Sequence, residues 1–95
     1  MLRGMRTIWK YDVPVDARLS VMMPRGGKVI AVQMQGDTPC LWAIVDSDEP
    51  VEQRRFMVFG TGHMLPDSPI VHLGTFQVND GGRPLVFHVF EVVSP

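Results

Sequence analysis

The feature that most constrains this chain is a series of short stretches alternating apolar with polar residues, each closed by glycine or proline. Alternation with a period of two is the signature of a half-buried strand. Thr7 to Val13 (TIWKYDV) sets Trp9, Tyr11 and Val13 against Lys10 and Asp12, and Pro14 ends it. The same reading gives strands over Arg18 to Met23, Lys28 to Gln35, Thr38 to Val45, Arg54 to Phe59, Ile70 to Val78 and Pro84 to Val93. In the third, Ile30, Val32 and Met34 are expected on one face and Val29, Ala31 and Gln33 on the other. Between the strands stand Pro24-Arg25-Gly26-Gly27, Gly36-Asp37, the polar loop Asp46 to Gln53, the loop Gly60 to Pro69, and Asn79-Asp80-Gly81-Gly82. Proline presets φ and glycine admits positive φ, so these are turn signals with a mechanism.

Seven such strands in 95 residues predict one all-β domain, a small sandwich or a partly open barrel. No stretch has sustained helical periodicity. Nine glycines and eight prolines weigh against a helical bundle. With 45% apolar and 20% charged residues the composition is globular rather than disordered. Residues 1–4 read as a dispensable extension ahead of Met5.

Composition also excludes partners. The formal net charge is −1, so the overall basic footprint that duplex DNA or an anionic membrane demands is missing. The apolar runs are too short to span a bilayer as a helix, and the N-terminus has no apolar core of a signal peptide. Cys40 is the lone cysteine, so no internal disulfide forms, which fits a reducing cytoplasm.

The strands over Thr38 to Val45, Arg54 to Phe59 and Pro84 to Val93 are apolar on both faces. In the last, Leu85, Phe87 and Val89 lie on one side, with Val86, His88, Phe90 and Val92 on the other. A small domain exposes one face of most strands. The surplus apolar face therefore points to a homo-oligomer, the alternative being central strands covered by their own loops.

Few residues stand out chemically. Gly60-Thr61-Gly62-His63 follows a strand, and successive amides in a glycine turn can cradle an anion, with His63 as a further donor. No helix follows, so neither phosphate-binding fingerprint applies, and glycine in a loop needs no ligand to explain it. Arg54 or Arg55 beside Trp42 or Tyr11 would pair a guanidinium with an aromatic plate, a combination suited to a nucleotide or sugar phosphate. The expected ligand site is thus Trp42, Arg54, Arg55, Gly60, Thr61, Gly62 and His63. His63, His72, His88 and Cys40 lack local ligand spacing, although His72 and His88 could meet across a sheet; no metal and no cofactor is expected. Cys40 reads as a small buried hydrophobe. No carboxylate pair or triad spacing supports an enzyme.

TIWKYDV, TPCLWAIVD, FGTGHMLPD, LGTFQV and LVFHVFEV, in that order over Met5 to Val92, resemble a family of small phage and prophage proteins without an assigned function. The resemblance implies a phage-encoded protein acting in the bacterial cytoplasm or in the virion, and brings no catalytic residue. Three functions are consistent with it: a protein that sequesters a small anionic ligand such as a nucleotide-derived defence signal, a protein–protein inhibitor of a host enzyme or defence complex, and a minor virion component.

Overall fold

The computed structural model describes residues 5–15 and 17–93. It contains seven strands: β1 (Arg6–Asp12), β2 (Ala17–Pro24), β3 (Lys28–Gln35), β4 (Thr38–Asp46), β5 (Val51–Gly60), β6 (Ile70–Asp80) and β7 (Arg83–Val92). Every pairing is antiparallel. One sheet has the order β1-β4-β3 and the other β2-β5-β7-β6. The two sheets pack as a sandwich and do not close into a barrel. No helix occurs among the described residues. The proposed extension at residues 1–4 lies outside them.

The turns follow from their residues. Gly81 and Gly82 join β6 to β7 with φ of 58° and 86°, a combination that side-chain-bearing residues adopt only with strain. Asp46 to Gln53 is shorter as a loop than the sequence implies, because β5 already starts at Val51. Asp46 ties that turn, accepting from the amide of Asp48 through Oδ1 (3.0 Å) and from the amide of Glu49 through its carbonyl (3.0 Å).

Alternation decides what enters the core. Leu41, Ala43 and Val45 of β4 face Phe56 and Val58 of β5, Val89 of β7 and Phe76 of β6, with Met23, Val13 and Val32 filling the margins. Burying a side chain of this size stabilises by about 1.5–3 kcal/mol, so these positions carry most of the fold's apolar contribution. The opposite faces of β4, β5 and β7 hold half-buried apolar residues, among them Trp42, Ile44, Met57, Phe59 and Phe90.

Strict alternation fails at two bulges. In β3 the register shifts between Val29 and Ala31, so Val29, Val32 and Met34 share the inward face and Ile30 is 45% exposed. This corrects the expected grouping of Ile30 with Val32. In β6 the register shifts between His72 and Gly74. The two bulged strands approach where Gly74 meets Val32: a Cβ on Gly74 would lie 2.7 Å from the Val32 Cβ. Glycine is required there by the closeness of the sheets, not by its backbone angle.

Candidate functional site

The β6 bulge has a chemical consequence. Residues three apart on a regular strand point to opposite faces. The extra residue places His72 and Thr75 on the same outer face, beside His88 of β7, which pairs with Thr75. Thr75 Oγ1 is 3.3 Å from His72 Nε2 and 3.1 Å from His88 Nδ1. The other nitrogen of His88, Nε2, is 2.8 Å from Thr61 Oγ1. Four side chains from β6, β7 and the loop after β5 therefore form one polar chain: His72, Thr75, His88, Thr61.

An aromatic ladder flanks it. The His72 ring meets Phe90 edge to face at 5.2 Å, and Phe90 meets Phe59 in the same manner at 5.8 Å. Such pairs add about 0.5–1.5 kcal/mol beyond area burial and fix ring orientation.

The loop after β5 closes the site. Thr61 donates its amide to the Val86 carbonyl (3.2 Å), and His63 donates its amide to the Gly60 carbonyl (3.1 Å). Gly62 turns the chain at φ 91°. The Gly60 amide donates to His63 Nδ1 at 3.2 Å. A backbone amide can only donate, so His63 Nδ1 carries the lone pair and Nε2 carries the proton. His63 folds over Gly60, where a Cβ would lie 3.0 Å from its ring.

Two adjoining clefts result. One, of about 200 Å³, is lined by Phe59, Thr61, Gly62, His63, His88 and Phe90 together with Gly60 and Leu65. The other, of about 420 Å³, shares Gly60, Thr61 and His63 and extends along Pro84 to Phe87. Thr61, Gly62 and His63 bring a hydroxyl, a backbone amide and an imidazole to the cleft wall. The floor is apolar.

The residues expected from sequence do not all gather here. Gly60, Thr61, Gly62 and His63 do. Arg55 is on the outer face of the same sheet but roughly 13 Å down β5 from Phe59, at 3.3 Å per residue; it lines a separate cleft of about 210 Å³ with Arg18, Ser20 and Val92. Trp42 stands on the outer face of the other sheet, across the sandwich. Arg54 shares the inward face of β5 with Phe56. Its Nε and Nη2 hold the Glu91 carboxylate, the second at 3.0 Å, and its Nη1 donates to the Gly27 carbonyl at 2.9 Å. The bond to Glu91 holds the guanidinium pKa above its ordinary value, with burial opposing. Arg54 is thus committed to joining β5, β7 and the β2–β3 turn. Thr75 faces His88 by direct register, and His72 and His88 meet across the sheet as the sequence allows, but it takes the bulge to put His72 on the face of Thr75.

Two other reactive groups are confined. Cys40 is fully buried, its thiol 3.6 Å from Asp12 Oδ1 and 3.5 Å from the Thr38 carbonyl. Burial, and then the Asp12 hydrogen bond, push the thiol pKa up, opposite to what a nucleophilic cysteine needs. Tyr11 Oη is buried without a hydrogen-bond partner, and burial raises its pKa against the opposing charge of Arg54. Among the described residues no three His, Cys, Asp or Glu side chains converge as a metal site. No helix among them is long and apolar enough to cross a membrane.

Neither a curated protein nor a solved structure matches the chain. A family model does match, over residues 5–95, and its description is a domain of unknown function. That span takes in all seven strands, both bulges and the cleft, so the chain belongs to the DUF7352 family.

Proposed function

We propose that this protein is a small binding protein that captures a small anionic ligand, most concretely a nucleotide-derived signal, in the cleft between Gly60–His63 and His88. The observation that carries the reading is the convergence of the Thr61 hydroxyl, the His63 Nε2–H and the Gly62 turn over an aromatic floor of Phe59 and Phe90. Phosphate oxygens accept from such donors, and a base has apolar surface to lie on. Trp42 and Arg54 are left out, because the sandwich separates the first from the cleft and Glu91 occupies the second. The resemblance of the strand blocks to phage and prophage proteins supports placing that capture in an infected bacterial cytoplasm, against a host signal.

Thermal denaturation with a panel of nucleoside triphosphates, cyclic dinucleotides and short oligonucleotides tests it. A ligand at about 100 times its Kd stabilises by about 2.7 kcal/mol. At about 4–8 °C per kcal/mol, a domain of this size should melt more than about 10 °C higher. His63→Ala should abolish the rise while leaving the unliganded melting point in place. No rise with any member of the panel at millimolar concentration refutes the reading.

A second reading concerns the opposite face. Ile8 and Ile30 are 55% and 45% exposed on the three-stranded sheet, beside half-buried Trp42 and Ile44. We propose a second copy of the chain as its cover. Sedimentation of the wild type against Ile8→Lys/Ile44→Lys tests it: an oligomer that the substitutions dissociate supports the reading, and a monomeric wild type overturns it.

A further inference from the structure

We propose that the cleft also carries an acyl-transfer activity, with Thr61 as nucleophile and His88 as its general base. The inference rests on the same cleft as the binding reading but needs no nucleotide. A hydroxyl becomes nucleophilic when a base takes its proton and a third group holds the base in the right tautomer. Thr61 Oγ1 at 2.8 Å from His88 Nε2 meets the first condition. Thr75 Oγ1 at 3.1 Å from His88 Nδ1 meets the second. The chain is satisfied with either tautomer of His88. In the Nδ1–H tautomer, the one the reaction needs, Thr61 O–H donates to His88 Nε2, His88 Nδ1–H donates to Thr75 Oγ1, and Thr75 O–H donates to His72 Nε2 at 3.3 Å. Each hydroxyl donates once, and each imidazole uses an acceptor nitrogen, so no hydrogen-bonding group in the chain is in conflict.

The surroundings fit a short ester. Phe59, Leu65 and Phe90 line the cleft with apolar surface for an acyl group. The amides of Gly60, Thr61 and His63 are spoken for within the turn, by His63 Nδ1, the Val86 carbonyl and the Gly60 carbonyl. Gly62 lines the cleft, and its amide donates to no other group among the described residues.

In the first step Thr61 Oγ bonds to the ester carbonyl carbon and its proton passes to His88 Nε2. The carbonyl π pair moves to the oxygen. Collapse breaks the bond to the alcohol, which takes the proton from His88 and departs, leaving Thr61 acylated. Water, deprotonated by His88, then attacks the acyl carbon, and Thr61 leaves with that proton. No oxidant, reductant or metal is needed. Thr61 and His88 are the catalytic residues. Thr75 is a positioning residue.

The test uses the full chain with p-nitrophenyl acetate, following p-nitrophenolate release and locating the acetyl group by peptide mass spectrometry. The expected result is a burst with one acetyl group on Thr61, lost in Thr61→Val and retained in Thr61→Ser. His88→Gln should slow the burst by about 100-fold or more, as expected for loss of a general base. Thr75→Val should slow it without moving the melting point, and Thr75→Ser should restore it. Acetyl groups found only on lysine, histidine or the N-terminus, or an unchanged burst in Thr61→Val, overturn the proposal. The two readings of the cleft fail separately. A nucleotide that raises the melting point of a chain that does not acetylate Thr61 refutes only the transfer activity. An acetylated Thr61 with no nucleotide response refutes only the nucleotide reading.

Discussion

Replacing Gly74 with alanine tests how closely the two sheets approach. The added Cβ would stand 2.7 Å from the Val32 Cβ and 2.9 Å from its Cγ2. Carbon atoms in contact prefer about 3.5–4.0 Å, so the pair must separate by roughly 1 Å. Rotating the valine relieves only the Cγ2 contact. The Cβ atoms are fixed to two backbones, each held in its sheet by a neighbouring strand, Val32 by Leu41 and Gly74 by Val89. Overpacking of this kind costs about 1–3 kcal/mol, and rigid partners place Gly74→Ala at the upper end. Urea denaturation should show a loss of about 3 kcal/mol at unchanged slope, and the melting point should fall by more than about 10 °C. Val32→Ala alone removes two buried methyl groups and should cost about 2 kcal/mol. It removes the Cγ2 contact but leaves the Cβ in place, so the double variant should lose less than the sum of the two yet not be rescued. A neutral Gly74→Ala, or full rescue by Val32→Ala, would refute the close crossing of β3 over β6.

Three further outcomes follow from the interior. Tyr11→Phe removes a buried hydroxyl without a partner and should stabilise the fold by about 1 kcal/mol in urea titrations at neutral pH. The raised phenol pKa means that the wild type keeps full stability below the ordinary value of 10.0 and loses it as pH climbs above that value; Tyr11→Phe should flatten that alkaline decline. Arg54→Ala leaves the half-buried Glu91 carboxylate without its guanidinium and should cost about 1–3 kcal/mol, part of which the double variant Arg54→Met/Glu91→Leu should recover in the same assay. The Cys40 thiol should react with Ellman's reagent only at the rate of global unfolding, accelerating steeply with urea; prompt reaction of the native protein would contradict its burial.

Much of the fold is legible in the residues. Alternation in TIWKYDV and KVIAVQMQ and the short apolar run PLVFHVFEVV mark strands, and Gly81-Gly82 marks the hairpin, because these patterns act locally. The inward pair Phe87 and Val89 follows directly from period two, with Leu85 on the same side but exposed, as does the outward set with His88 and Phe90. What local pattern does not encode is a change of phase. The bulges at Ile30 and Leu73 each insert a residue, and each exchanges which neighbours share a face. The glycine at position 74 beside a histidine strand was the available signal for the second. In sequence Arg54 reads as a ligand arginine because its partners Glu91 and Gly27 lie 37 and 27 residues away, in β7 and at the β2–β3 turn. Sequence order shows that two arginines alternate; it does not show which one turns inward. The chemistry of Trp42 groups it with the arginines, while the pairing of β4 with β1 and β3 puts it in the other sheet.

The cleft beside Gly60–His63 is the centre of the functional account, and amide-resolved NMR of the labelled protein tests it most directly. Nucleoside triphosphates and cyclic dinucleotides are titrated to saturation, and each backbone shift is assigned. At least one ligand is expected to give shifts concentrated at Phe59 to His63 and at His88 to Phe90, with the Gly62 amide moving downfield as it donates. Spectra unmoved by every nucleotide at millimolar concentration would contradict it, as would shifts gathered around Trp42 on the other sheet.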